Sequence, residues 1–364
     1  MCYLLKYSIE IIHTSLRKFD LFIIFAIKKM AERDNSLDII RSLGLFCIIL
    51  AHVNPPFTIF QLRNFDVPLM VFISGYLFGN KNQTFKSITD FTSYLWKRFF
   101  RLVVPVWIFL SIFYSIQYFF PLSFKINYTQ FPDIMISSYL LLDGFGYVWI
   151  IRIFLMIAIL GPLFTNFIKN KWQLLIYYTI YEMVVQYSTD LFQPDVQKYF
   201  NQFGTYSLGF LIFFMLGAQY RNYDIMSKKV LFIISTLISF GGFAYFKFHL
   251  GAPFDIGALK YPPHSFYVFY AISIFSIIFY IKPIIQKLNT PILNFIGSST
   301  IWIYLWHILF LFLINFGNWY LNWMAILTIS IIATMVQQQL INKAINYFKI
   351  PNKQAKQLQI IFCS

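Results

Sequence analysis

Asp38, Arg41 and His52 share one apolar stretch, Asp38-Ile-Ile-Arg41-Ser-Leu-Gly-Leu-Phe-Cys47-Ile-Ile-Leu-Ala-His52. They supply an acid, a fixed cation and a group that titrates near neutral pH. Each ionisable side chain inside a bilayer costs about 2.5–3.5 kcal/mol on insertion scales, so three in one segment need a compensating environment. Eleven residues at about 100° each bring His52 to within about 20° of Arg41. Asp38 precedes Arg41 by three residues, within pairing reach on a helix. As a helix, the segment therefore has one polar stripe, with His52 about 16 Å above Arg41. Such a stripe faces a protein-lined cavity, not lipid. An imidazole there can take a proton from a hydroxyl. A histidine capping the helix end, with an ion pair at the other end, is the plainer alternative.

Four further places could contribute chemistry. Arg152 lies in Tyr147-Val-Trp149-Ile-Ile-Arg152, close to the end of a later apolar segment, where an arginine can also snorkel to the interface. Glu182 lies midway along the next segment; a carboxylate at that depth needs a partner or a proton, and Arg152 is the expected partner. His307, in Trp302-Ile-Tyr304-Leu-Trp306-His307, is expected to reach the depth of His52. Lys97, Arg98 and Arg101 form a basic cluster suited to the phosphates of an anionic ligand, or simply to the cytoplasmic flank of a membrane helix. The sequence has no phosphate-cradling glycine loop, nucleophile elbow or metal-ligand spacing, so neither an acyl-serine mechanism nor a metal is expected.

The elements that must hold these groups are membrane helices. Of 364 residues, 59% are hydrophobic and 12% charged, about half the charged share of a soluble domain. The net charge of +15 follows from positive residues flanking spans and does not require nucleic acid. Hydrophobic length predicts an all-α bundle of ten spans, near 37–55, 65–80, 101–122, 147–168, 172–190, 204–220, 229–247, 265–284, 292–316 and 319–340. A short apolar piece at 134–142 reads as interfacial. With both termini in the cytoplasm, 22 of the 29 lysines and arginines fall in inner segments, 5 in outer ones and 2 inside spans, as the positive-inside rule demands. The expected layout is an interfacial extension at 1–34, a membrane domain at 35–342 and a basic cytoplasmic tail at 343–364. The extension is either an amphipathic surface helix or lies upstream of a true start at Met30. Cys2, Cys47 and Cys363 have neither disulfide-framework nor metal spacing.

With these residues in view, the chain resembles the acyltransferase-3 family of membrane acyltransferases. The resemblance rests on Asp38 and the Arg41-x10-His52 spacing, Val67-Pro-Leu-Met-Val-Phe-Ile-Ser74-Gly75-Tyr76, Lys97-Arg98-x-x-Arg101-x-x-x-Pro105, Tyr261-Pro262-Pro263-His264-x-Phe-Tyr267, and Ile296-Gly297 through Tyr304-Leu-Trp-His307. It covers about residues 35–340. It implies a multi-pass plasma-membrane enzyme that transfers an acyl group, usually acetyl from cytoplasmic acetyl-CoA, to a sugar hydroxyl of a surface polysaccharide or its lipid-linked precursor. His52 is then the implied base and Arg41 its active-site companion, with Asp38 beside it. Arg152, Glu182, His307 and Trp149 are expected to support the site, and Lys97, Arg98 and Arg101 to hold the donor. Trp149 with Arg152 resembles the exopolysaccharide and fucose-acetylase-like branch. The rival is a glycan or lipid transporter or flippase, whose mark would be inverted repeats with broken helices.

Overall fold

The computed structural model describes residues 34–363 apart from 81–84, 86, 120–130, 143, 189–191, 250 and 252. The extension expected at 1–34 therefore lies, except for Asp34, outside the described residues.

The described residues form a helical bundle with no β-sheet. In chain order the helices are α1 (Asn35–Ala51), α2 (Phe57–Leu62), α3 (Asp66–Asn80), α4 (Ile88–Phe119), α5 (Phe131–Tyr139), α6 (Trp149–Phe167), α7 (Lys171–Ser188), α8 (Pro194–Tyr199), α9 (Tyr206–Tyr220), α10 (Ile225–Ala244), α11 (Ser265–Tyr280), α12 (Lys282–Ile285), α13 (Pro291–Ser298), α14 (Thr300–Leu313), α15 (Trp319–Tyr347) and α16 (Asn352–Phe362). Five helical segments are long and apolar enough to cross a membrane, or seven if each of two bent pairs counts as one span. The expected spans at 37–55 and 65–80 fall on shorter helices of 17 and 15 residues.

The structure departs from the expected straight spans in three places. The third expected span begins earlier and becomes a helix of 32 residues, so Lys97, Arg98 and Arg101 are helical. The stretch at 265–284 bends by 57° between Tyr280 and Lys282, where Pro283 cannot continue the amide ladder. The stretch at 292–316 bends by 83° between Ser298 and Thr300. Broken helices are therefore present. They are neighbours in one half of the chain, not counterparts in two repeated halves, as a transporter's would be. The boundary expected at 342/343 falls inside α15, and the segment beyond folds back as α16. Trp302 Nε1 donates to the Ile361 carbonyl at 2.7 Å, Gln337 Nε2 to the Phe362 carbonyl at 3.0 Å, and Phe362 stacks on Trp302.

Small residues set the two tightest crossings. A Cβ on Gly75 of α3 would stand 1.9 Å from the Phe214 carbonyl oxygen of α9, and one on Gly217 of α9 would stand 2.1 Å from that of Phe72. Gly75 and Gly79 are four apart, the spacing that lets membrane helices meet backbone to backbone. At Gly297 a Cβ would stand 2.0 Å from the Asp38 carbonyl oxygen, so α13 lies directly on the Asp38–Arg41 turn of α1.

Candidate active site

The first turns of α1 are fixed from two sides. Arg41 Nη1 donates to Asp38 Oδ1 at 3.1 Å, the pairing expected from their spacing. Ser42 Oγ makes hydrogen bonds to the carbonyls of Asp38 and Leu293 at 3.1 and 2.9 Å. Asp38 is buried and Arg41 half-buried, so the carboxylate holds one edge of a guanidinium that otherwise faces a cavity.

That cavity, about 130 Å³, lies between α1, α3, α4, α6 and α14. Arg41, Arg98 and Arg101 face it together with Ser74, Tyr94 and Tyr304, over apolar walls that include Ile48 and Phe154. The Arg98 guanidinium lies 5.1 Å from the centre of the Tyr94 ring. Among the described residues the lining holds three guanidinium groups and no carboxylate. Planar forked donors of this kind match phosphate oxygens. Lys97 is exposed and lies outside the lining, because one residue along a helix turns the side chain by about 100°.

His52 ends α1, and its Nδ1 lies 3.2 Å from Nε2 of His307 on α14. The two rings stack with centroids 5.2 Å apart, and Tyr147 stands edge-on to His52 at 5.1 Å. His307 Nδ1 meets the Tyr304 carbonyl one turn earlier. The Tyr304 hydroxyl donates to the Tyr147 carbonyl at 2.7 Å. His52, His307, Tyr304 and Tyr147 therefore close a ring of contacts, and Tyr304 is also part of the cavity wall. The expectation that His307 reaches His52 is met.

This arrangement selects a tautomer. A carbonyl can only accept, so His307 Nδ1 carries the hydrogen. His307 is fully buried, and a carbonyl and a second imidazole do not compensate a charge there. The neutral His307 ring thus presents a lone pair at Nε2 and accepts from Nδ1–H of His52. In neutral His52 the remaining lone pair is then on Nε2, the nitrogen turned away from His307. That atom is the basic one.

The other expected residues lie elsewhere in the bundle. Arg152 is buried; its Nη1 donates to the Leu141 carbonyl at 2.9 Å and its guanidinium lies 5.2 Å from the Phe203 ring. Glu182 accepts from the Tyr178 hydroxyl and from Ser265 Oγ, both at 2.8 Å. The expected Arg152–Glu182 pairing is thus replaced by a carbonyl on one side and two hydroxyls on the other, because α11 brings Ser265 to the carboxylate. Trp149 is edge-on to Tyr261 at 4.8 Å and lies 5.6 Å from the Lys260 ammonium.

Lys260, counted with Arg63 among the five cations of the outer segments, belongs to a buried charge cluster. Asp66 Oδ2 accepts from Arg63 at 2.8 Å, and Oδ1 from the Val67 amide at 2.7 Å, with Lys260 Nζ at 3.5 Å. All three charged residues are buried. The local signal was Arg63 three residues before Asp66 at a helix start; nothing local pointed to Lys260, 194 residues further on.

One end of α1 thus carries an imidazole pair, and its earlier turns line an arginine-bearing cavity. Residues 34–336 match the family model Acyl_transf_3, an acyltransferase domain. The chain belongs to that family and is a membrane acyltransferase. No curated protein and no solved structure matches it.

Proposed function

We propose that the protein is an O-acetyltransferase of the plasma membrane, with acetyl-CoA as donor and a sugar hydroxyl of a surface polysaccharide or its lipid-linked precursor as acceptor. The observation that carries this is the 3.2 Å contact of His52 Nδ1 with His307 Nε2, which leaves a basic nitrogen on the helix whose Arg41, Leu45 and Ile48 line the arginine-bearing cavity. By the positive-inside rule the arginine end faces the cytoplasm, the source of the thioester. The likeness of Trp149 and Arg152 to the exopolysaccharide branch supports the choice of acceptor.

The roles follow from position. Arg98 and Arg101, with Arg41, bind donor phosphates as charge-assisted hydrogen-bond donors. His52 stands about 16 Å further along α1, so Arg41 acts on the phosphate-bearing end of the donor and not on the reacting carbonyl. His52 Nε2 takes the hydroxyl proton as the sugar oxygen attacks the thioester carbon. The new C–O bond forms, the C–S bond breaks, and the proton passes from His52 to the departing sulfur. Nothing in this sequence requires an acyl-enzyme. Lipid surrounds the bundle, and no nucleic acid or metal enters the scheme.

The test uses membranes containing the full chain, acetyl-CoA labelled in the acetyl group, and a glycan-bearing lipid fraction. Label should appear in the glycan as a base-labile ester and be absent with H52Q. Labelled glycan from H52Q membranes at the wild-type rate would refute the assignment.

A further inference from the structure

A second cavity of about 790 Å³ lies where α9, α10, α11 and the start of α12 meet, and it shares no lining residue with the arginine-lined cavity. Four cations line it: Arg221 after α9, Lys228 and Lys229 in the first turns of α10, and Lys282 at the start of α12. The wall beyond them is apolar and includes Phe232 and Ile277. Among the described residues no carboxylate lines it.

We infer that this cavity is a binding site for an anionic phospholipid, with the phosphate held by Arg221, Lys228 and Lys229 and the acyl chains along α10. Positive-inside bias explains cations at inner loops, but not the convergence of cations from three helices on one recess. Lys282 is already paired with Asp34. The other three have no ion-pair partner among the described residues: Arg221 donates to the neutral Asn80 amide at 3.3 Å, and Lys228 lies 5.3 Å from the Tyr220 ring. The occupant is a lipid and not a soluble anion because α10 forms one wall of the recess. Only 11% of the most apolar stretch of the Ile225–His249 helical segment is buried, so most of its surface borders the acyl chains. A basic pocket between helices above an apolar face is what a lipid phosphate requires.

The experiment places the full chain in nanodiscs and measures how much phosphatidylglycerol, relative to phosphatidylcholine, stays bound after detergent extraction. Wild type should retain phosphatidylglycerol preferentially. R221Q, K228Q and K229Q should each weaken it about fivefold, from about 1 kcal/mol per cation at an anionic surface. The triple variant should lose the preference while acetyl transfer continues. The single variants decide the matter if the triple variant fails to insert. Equal retention of both lipids by wild type, or unchanged preference in all three single variants, would overturn the proposal. So would displacement of the bound lipid by inorganic phosphate or by acetyl-CoA, which would mark the recess as a soluble-anion site.

Discussion

Replacing His307 by phenylalanine tests the tautomer directly. H307F keeps a ring in a fully buried slot but removes the acceptor 3.2 Å from His52 Nδ1. A buried donor left without a partner costs about 1–3 kcal/mol. His52 can escape that cost by moving its hydrogen to Nε2, which withdraws the lone pair from the acceptor side. At about 1.4 kcal/mol per tenfold, the competent tautomer falls by about 5- to 150-fold. The maximal rate of acetyl transfer should fall by that factor while the KM for acetyl-CoA stays near wild type, because the arginines are untouched. Nitrogen-15 spectra of histidine-labelled protein in nanodiscs give a readout that does not depend on activity. The His52 signal should change from the Nδ1–H to the Nε2–H form. An Nε2–H form already present in the wild type, or H307F turnover equal to wild type, would refute the reasoning.

H52Q should lower the maximal rate by about 10²–10⁴, the usual share of a general base, with unchanged accumulation in membranes. R98Q and R101Q should raise the KM for acetyl-CoA, whereas K97Q, changed outside the cavity lining, should leave it alone; steady-state kinetics at several donor concentrations separates the three. D66N strands Arg63 and Lys260 in the interior and should lower stability by about 3–5 kcal/mol, read as a drop in melting temperature in detergent. G75A drives a methyl toward the Phe214 carbonyl and should cost about 1–3 kcal/mol, measured the same way; a melting curve like wild type would mean that the helices separate freely there.

Much of the site was legible because it is local. Asp38, Arg41 and His52 lie within fifteen residues, and helical periodicity alone fixes their common stripe. The depth of His307 could be counted along an apolar run. What periodicity does not encode is which helix lies beside which. The partners of Glu182 come from its own turn and from Ser265, 83 residues on, and nothing near Arg152 names the Leu141 carbonyl. Lys260 read as a loop charge because its partner Asp66 is far away in sequence. The bend after Ser298 was hidden because Ser-Ser-Thr is compatible with a helix. Beside it Gly297 lies against the Asp38 carbonyl of α1, a tertiary contact that no local pattern encodes.

On the proposed function, the separation of Arg41 from His52 bears on specificity. One rigid helix carries both, so the span between the phosphate clamp and the base does not adjust to the donor. A donor must bridge a rise of about 16 Å with a flexible arm that ends in the thioester. Short acyl carriers that share the thioester but lack the phosphate end would reach His52 without being held, and orientation of the reacting carbon would be lost. On the proposed function the clamp would select the carrier, whereas the acyl group would be selected near Tyr304, which lines the cavity and whose hydroxyl and carbonyl meet Tyr147 and His307.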